Sequence, residues 1–264
     1  MTLRPSAPLF DALADDYDEH FAVPMRSAYD QLAWELTTQA LGTRTGLVVD
    51  IGCGIGRWAT WLIDLGFSVT GIEPAPKMAA RARTRLADTR FRLIEDRIET
   101  AALPPGGAVG VLAMGSLQYA DDPKVAIAKA ATWLAPGGVM CVLVDSLVAL
   151  TTELLRAGKD EEAVIRSSER RGVWSQHGRV ADLHLFDRST LEAAMTNAGL
   201  IEVTSHGLLV GASVWGRDEL TTRLVDDPAS QLEVERTLAR LPVLADLGKQ
   251  LLTIGRAPAQ SREP

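Results

Sequence analysis

Three glycines that alternate along a tight turn constrain the fold of this chain more than any other feature. They follow an apolar run at residues 47–49 and an acid at Asp50, and they occupy Gly52, Gly54 and Gly56. A helical pattern comes next, with one apolar face made of Trp58, Trp61, Leu62 and Leu65. Residues 67–72 then form a second strand pattern. This order predicts a β-α-β unit whose first turn brings backbone N–H groups and a helix N-terminus close to a ligand.

The spacing of these glycines separates two classes of nucleotide ligand. A dinucleotide fingerprint requires a third glycine three residues after the second, and Arg57 stands at that position, which argues against a nicotinamide-dependent oxidoreductase. The second strand ends at Glu73, where a carboxylate can accept hydrogen bonds from two ribose hydroxyls. Asp50 ends the first strand, so two strand-end acids and the backbone donors of the turn are expected to converge on one cofactor.

The pattern Asp-x-Gly-x-Gly-x-Gly at residues 50–56, with Gly-Ile-Glu-Pro at residues 71–74, resembles the first two motifs of class I S-adenosylmethionine-dependent methyltransferases. The resemblance implies an α/β, doubly wound, seven-stranded and mostly parallel sheet of the Rossmann-like methyltransferase type, with S-adenosyl-L-methionine as cofactor. It also implies one domain over residues 1–264. We expect a helical cap at 10–41, a cofactor-binding core at 46–145, a lid insertion after the fifth strand at 146–188, and the rest of the sheet at 189–256.

The resemblance extends the predicted cofactor site beyond the glycine turn. In the family, the tyrosine matching Tyr17 lies near the site, the residue matching Met78 packs on adenine, and an acid matching Asp96 accepts the adenine amino group. Each has a structural alternative: Tyr17 packs the cap, Met78 belongs to the core, and Asp96 lies in a solvated turn. The predicted set is Tyr17, Asp50, Gly52, Cys53, Gly54, Glu73, Pro74, Met78, Asp96, Arg97, Ile98, Met114 and Gly115.

The segment after the fourth apolar strand is expected to border both the cofactor and the acceptor. In an open parallel sheet, ligands bind outside the carboxyl ends of the strands, at the switch point beside the first strand. The residues that follow the strand at 108–114 therefore become candidates, namely Met114, Gly115, Gln118 and Tyr119.

The β-α alternation stops after Asp145, and the insertion that follows carries two histidines. Residues 146–171 have a helical pattern, and two short extended pieces around a turn contain His177 and His184. A histidine held there could take a proton from a hydroxyl acceptor near neutral pH. The alternative is that strand alternation places His184 on an outer face. The wider set of candidate bases is His20, His177, His184, His206, Tyr17, Tyr119 and Asp145, of which His184, His177 and Tyr119 are the predicted catalytic residues.

Composition excludes several partners. The net charge of −7 argues against nucleic acid, and the arginines between positions 81 and 92 are interpreted as a solvated helix face. The two cysteines, Cys53 and Cys141, have no metal-ligand companions, which predicts a reduced, metal-free, cytoplasmic protein. No apolar run approaches the length of a membrane span, and no signal peptide pattern opens the chain. We expect a monomer or homodimer that acts on a small molecule.

The predicted function is therefore methyl transfer from S-adenosylmethionine to a small-molecule acceptor in specialised metabolism, with oxygen or nitrogen favoured over carbon. Two alternatives share the cofactor. One is an enzyme such as a cyclase that retains the cofactor without transferring its methyl group. The other is an inactive partner subunit that only binds the cofactor.

Overall fold

The computed structural model describes residues 4–20 and 22–259, apart from the side chain of His20. Its strands are β1 (Leu47–Ile51), β2 (Ser68–Ile72), β3 (Phe91–Ile94), β4 (Ala108–Met114), β5 (Leu134–Asp145), β6 (Arg171–Gln176), β7 (Arg179–His184), β8 (Ile201–Leu208) and β9 (Gln250–Arg256). Its α-helices are α1 (Ala7–Leu13), α2 (Tyr17–His20), α3 (Pro24–Leu41), α4 (Arg57–Asp64), α5 (Pro76–Arg85), α6 (Pro123–Ala131), α7 (Leu147–Arg156), α8 (Asp160–Glu169), α9 (Arg188–Asn197), α10 (Val210–Val214), α11 (Arg217–Asp226) and α12 (Pro228–Ala239). Two 3-10 helices span Leu117–Tyr119 and Pro242–Leu247.

Seven of the strands form one sheet in the order β3-β2-β1-β4-β5-β9-β8. Strands β1 to β5 pair in parallel, whereas β9 runs antiparallel to both β5 and β8. Apolar layers cover both faces of this sheet, so β5 can be a continuous apolar strand. The predicted doubly wound, seven-stranded and mostly parallel sheet is confirmed.

The helix after the glycine turn packs on the sheet with part of its predicted face. Trp58 and Leu62 are buried, while Leu65 is 54% exposed because α4 ends at Asp64. Trp61 is partly buried and makes an aromatic cluster with Trp58 and Trp34 of α3, with ring centroids 5.2 to 5.6 Å apart. The prediction for Leu65 was wrong, since Leu65 follows the last helical residue.

The N-terminal cap begins earlier than predicted and is interrupted before Tyr17. Residues 7–13 are already helical, ahead of the predicted start at residue 10, and α1 ends at Leu13, four residues before Tyr17. The break carries no glycine or proline; instead, Arg81 of α5 donates hydrogen bonds to the carbonyl oxygens of Ala14 and Asp15. A tertiary contact therefore satisfies the end of α1, and local sequence could not predict it.

Arginines expected on a solvated face hold the cap against the core. Arg81 bonds the cap backbone, and Arg85 makes an ion pair with Asp18. Arg57, at the position that lacks the third glycine, makes an ion pair with Asp30 of α3. Arg81 and Arg85 are still partly exposed, so the solvated face predicted for the arginines between positions 81 and 92 also carries contacts to the cap.

The insertion after β5 consists of α7, α8 and the antiparallel hairpin β6-β7. The hairpin contacts the cap, because the Arg4 side chain donates to the Asp182 carboxylate with an Nε–Oδ1 distance of 3.0 Å. The ring of Trp174 lies 5.3 Å from that of Phe10 in α1. Cap and insertion thus meet over the carboxyl ends of the parallel strands. Lid movement of residues 146–188 stays a prediction.

Candidate active site

A cavity of about 520 Å³ lies beside the glycine turn, outside the carboxyl ends of β1, β2 and β4. Such a volume is ordinary for a cofactor site. The predicted cofactor residues on its wall are Tyr17, Gly52, Gly54, Glu73, Pro74, Arg97, Ile98, Met114 and Gly115. Residues 4–7 and Phe10 of the cap also contribute to the wall, a contribution that the sequence did not indicate.

Glu73 stands at the end of β2 with its side chain buried at the cavity wall. Its Oε2 accepts a hydrogen bond from the N–H of Gly54 at 2.9 Å, and its Oε1 accepts one from the N–H of Ala75 at 2.8 Å. Each carboxylate oxygen has a further lone pair, so the oriented carboxylate can still accept from a ribose diol.

The backbone donors of the glycine turn bond to the protein rather than point into the cavity. The N–H groups of Gly52 and Cys53 both donate to the carbonyl oxygen of Ile72, at 2.7 and 3.1 Å, and that of Gly54 donates to Glu73. We expected these donors to converge on the cofactor, but in the structure they bond to Ile72 and Glu73. The turn instead leaves space, because a Cβ on Gly54 would meet no atom within 4 Å.

Asp50 is buried beneath the turn and does not line the cavity. Its Oδ2 is an orphaned acceptor, with no hydrogen-bond partner among the described residues. Burial, assisted by the nearby charge of Glu73, raises the pKa of Asp50 to about 7. Burial also raises the pKa of Glu73 to about 7, against its hydrogen bonds from Ala75 and Gly54. Two buried carboxyls beside one cavity suit a ligand that has hydroxyl donors and positive charge.

The side chains of two other predicted cofactor residues lie in the core. The Cys53 thiol is buried against β2, where a Cβ on Gly71 would lie 2.6 Å from its Sγ. Met78 is fully buried in an apolar cluster that includes Leu13 and Ile55. Neither side chain lines the cavity, so the structure favours the core alternative for Met78.

The loop after β3 reaches the cavity through residues next to the predicted acid. The Asp96 carboxylate accepts from the Arg97 N–H at 2.8 Å and from the Thr100 hydroxyl, and these bonds cap an exposed turn. The same bonds, led by that of Thr100, lower the pKa of Asp96. Arg97, Ile98 and Glu99 line the cavity, whereas Asp96 does not. The placement favours the solvated-turn alternative for Asp96 and adds Glu99 to the site.

A second cavity, of about 460 Å³, adjoins the first on the side of the insertion. The two cavities share Phe10, Tyr17, Met114, Gly115 and Tyr119. Burial raises the pKa of both Tyr17 and Tyr119, so both phenols stay protonated near neutral pH and can donate hydrogen bonds. The predicted border role of residues 114–119 agrees with this arrangement.

The second cavity has a polar side that the sequence showed only in part. Asp145 ends β5, and its carboxylate accepts from the amides of Gln118 at 3.0 Å and Gln250 at 3.4 Å. Lys249 and Arg217 also line this cavity, although neither was a candidate from sequence. Gln250 is paired with Asp145 across β9 and β5, and this register brings the preceding residue, Lys249, to the cavity.

The predicted catalytic histidines do not line either cavity. His177 has a φ of 47° at the tip of the β6-β7 hairpin, and its Nε2 lies 3.3 Å from Asp16 of the cap. His184 faces away from its neighbours Leu183 and Leu185, which line the second cavity. Burial and the charge of Arg171 lower the pKa of His184, against hydrogen bonding to the backbone at Ala120 and Asp121. The placement of His184 favours the alternative in which strand alternation puts it on an outer face.

Of the two remaining histidines, His206 lies apart from both cavities. His206 Nδ1 is 3.0 Å from the carbonyl oxygen of Ala239, behind β8. The side chain of His20 lies outside the described part of the structure.

Among the described residues, no cluster of His, Cys, Asp and Glu side chains could hold a metal ion. In the same part of the chain, no helix combines the length and apolarity that a membrane span requires.

Sequence comparison relates part of the chain to a known family of domains. Residues 49–142 match the family model described as Methyltransferase domain. An uncharacterized methyltransferase of Mycobacterium tuberculosis is 32% identical over 118 residues, which are 45% of this chain and 56% of that protein. The match thus spans only about half the length of this curated relative.

Solved structures share the fold across nearly the whole chain. A SAM-dependent methyltransferase from Thermotoga maritima has a TM-score of 0.59 at 19% identity, covering 94% of this chain and 98% of its own. Haemonchus contortus phosphoethanolamine N-methyltransferase 2, solved with S-adenosyl-L-methionine, has a TM-score of 0.57 at 16% identity over 93% of this chain and 60% of its own. The [4+2]-cyclase SpnF has a TM-score of 0.52 at 17% identity over 87% and 81%.

Residues 49–142 thus match a methyltransferase domain, and the chain has the fold of solved S-adenosylmethionine-dependent methyltransferases of class I. S-adenosyl-L-methionine is the cofactor of this class. The residues at the first cavity fit that group, since the buried Glu73 carboxylate suits a ribose diol and the orphaned Asp50 oxygen lies just beneath.

The raised pKa values of Asp50 and Glu73 predict a pH-dependent stability of the cofactor-free protein. Both groups have folded pKa values of about 7, above their ordinary values of 3.8 and 4.5. Between those limits the folded state binds more protons than the unfolded state, so the free energy of unfolding contributed by these groups falls as the pH rises. Urea denaturation across this range should show the fall in the wild type and a smaller one in Asp50→Asn. An equal slope in the two proteins would contradict the prediction.

Proposed function

We propose that the chain transfers the methyl group of S-adenosylmethionine to a small-molecule acceptor held in the second cavity, at oxygen or nitrogen. The observation that carries this proposal is the pair of adjoining cavities, which share residues of the cap and of the β4 end. One cavity suits the cofactor, and the other is a separate space of comparable size. A subunit that only bound the cofactor would have no need of the second space.

The chain's own residues supply position and water exclusion. S-adenosylmethionine, when bound, supplies a methyl group on a sulfonium, with a neutral thioether as leaving group. Such a reaction depends chiefly on alignment of the nucleophile and on a dry site. Phe10, Tyr119 and Trp174 form an aromatic group where the cavities meet, with ring centroids 5.3 to 5.4 Å apart. We infer that these rings and the phenols of Tyr17 and Tyr119 enclose and orient the acceptor.

The similarity of SpnF in fold makes a cofactor-retaining cyclase the second candidate. The domain match and the curated relative favour methyl transfer. A reduced compartment remains part of the proposal, because both cysteines are free and buried. A monomer or homodimer that binds no nucleic acid and no membrane also remains part of it, as does a role in specialised metabolism.

The experiment that tests the function follows the label of the methyl group. Protein incubated with methyl-labelled S-adenosylmethionine and a panel of small alcohols, phenols, amines and acids should form S-adenosylhomocysteine and a labelled product. Glu73→Ala should lose the reaction. Binding of the cofactor without S-adenosylhomocysteine formation on any acceptor, together with rearrangement of one of them, would support the cyclase instead.

Because neither His177 nor His184 reaches a cavity, we expect both alanine variants to keep turnover within about twofold of the wild type. The measurement is S-adenosylhomocysteine formation between about pH 6 and 9, with cofactor affinity determined in parallel. Tyr119→Phe serves as the comparison, since Tyr119 borders both cavities. A large loss of turnover in His184→Ala at unchanged cofactor affinity would restore its role as base.

A further inference from the structure

The acceptor cavity contains a cationic side chain, Lys249, that no described residue neutralises by direct contact. Lys249 precedes β9 and lines the second cavity. Within the described ranges, no carboxylate lies within 4.0 Å of its Nζ, and no hydrogen bond of that atom is found. Burial lowers the pKa of Lys249, with Asp145 as the main opposing charge. Lys249 is half-buried, and an ammonium held partly out of water without a direct partner gains from an anionic neighbour.

The other charges of this cavity already have partners. Arg217 lies 3.4 Å from Glu153, and Arg26 bonds Asp30 with an Nε–Oδ1 distance of 3.0 Å. Asp145 accepts hydrogen bonds from two amide side chains. A cationic acceptor would therefore meet occupied carboxylates and three cations. An anionic acceptor would meet an ammonium that lacks a direct contact.

Much of the remaining lining of the cavity is apolar. It includes side chains from β5, α7 and the β6-β7 hairpin, namely Leu143, Leu150, Trp174, Leu183 and Leu185. An acceptor that fills the space must therefore bury hydrocarbon or aromatic surface there, and present polar groups to the side of Lys249.

On the basis of the proposed function, we propose that the acceptor is a small carboxylic acid with an apolar body, and that Lys249 binds its carboxylate. Lys249 lines the second cavity but not the first, whereas Tyr17 and Tyr119 line both. The carboxylate is accordingly an anchor, and the atom that receives the methyl group lies at the other end of the molecule. Lys249 is thus a specificity-determining residue.

The test uses three matched probes that differ only in the terminal group: 3-phenylpropanoate, 3-phenylpropanamide and 3-phenylpropylamine. Each is titrated by calorimetry into protein saturated with S-adenosylhomocysteine. The carboxylate should bind at least about tenfold more tightly than the amide, and the amine should bind most weakly. Lys249→Met should remove the preference, and Lys249→Arg should restore part of it. Lys124→Met, at an exposed lysine on α6, is the matched control and should keep the preference.

The outcomes separate this inference from the proposed function. If S-adenosylhomocysteine does not bind to the wild type, the proposed function fails first. If it binds but the carboxylate shows no preference over the amide at millimolar concentrations, the inference alone is overturned. A preference that persists in Lys249→Met, in a protein that still binds S-adenosylhomocysteine normally, also overturns it.

Discussion

Replacing Glu73 by alanine should weaken binding of S-adenosylmethionine by roughly 2–4 kcal/mol, or about 30- to 700-fold in the dissociation constant. The carboxylate is buried at the end of β2 and borders the cofactor cavity. Its two oxygens are fixed by the N–H groups of Gly54 and Ala75. Such a pre-oriented acceptor loses little conformational entropy when it meets the ribose hydroxyls.

Two variants separate this binding role from the support that Glu73 gives to the glycine turn. Glu73→Gln keeps an acceptor for one of the two N–H groups but loses the charge, so its affinity should fall between those of the wild type and Glu73→Ala. Glu95→Ala removes an exposed acid at the end of β3, which pairs with Arg83, and should bind the cofactor normally. Calorimetry on folded proteins gives all three affinities. Unchanged affinity in folded Glu73→Ala would remove this residue from the site.

Binding of S-adenosylmethionine should release protons from the carboxyl groups of Asp50 and Glu73. A cationic cofactor favours the charged forms of Asp50 and Glu73, whose pKa values are raised to about 7 by burial in the cofactor-free protein. Affinity should therefore rise with pH up to that range and then level off. Calorimetry in buffers of different ionisation enthalpy measures the number of protons released on binding. If Asp50→Asn releases as many protons as the wild type, Asp50 is not one of their sources.

The strands of the core could be predicted closely because their own composition determines them. Strand β4 begins and ends at the predicted residues, 108–114, since loop residues flank its apolar run. The cap was harder to predict. Its break before Tyr17 depends on Arg81, which lies far along the chain and contacts the carbonyl oxygens there. A helix end that a distant side chain satisfies leaves no local signal.

The acceptor side of the site illustrates the same limit. Lys249 and Arg217 reach one cavity from segments that follow β8, and nothing near them in sequence marks a site. For His184, the information was present. Side chains alternate along a strand, so the burial of Ala181 and Leu183 turns His184 to the opposite face. The base role of His184 stays a prediction, which this parity disfavours.

Replacing Gly52 by alanine should destabilise the cofactor-free protein by about 2–5 kcal/mol. Gly52 has a φ of 67°, which strains any residue with a Cβ, and that Cβ would lie 2.3 Å from the Cβ of Ser116. Ser116 belongs to the segment after β4 that lines the cofactor cavity, so the clash also displaces the wall of the site.

The neighbouring glycine provides a matched control for this effect. Gly54 has a similar φ of 56°, but a Cβ there would meet no atom within 4 Å and would stand in open space at the cofactor cavity. Gly54→Ala should therefore lose only about 1–2 kcal/mol of stability, while its cofactor affinity falls because the added methyl occupies cavity space. Urea denaturation and calorimetry measure the two effects separately.

Adding Ser116→Gly to Gly52→Ala removes the clashing Cβ and should recover the steric part of the loss of stability. The recovery is measured as a coupling energy in the double-mutant cycle. Two results would contradict this prediction: equal stability of Gly52→Ala and Gly54→Ala, or a double-mutant cycle without coupling. Either would show that contact with Ser116 is not what prevents a side chain at residue 52.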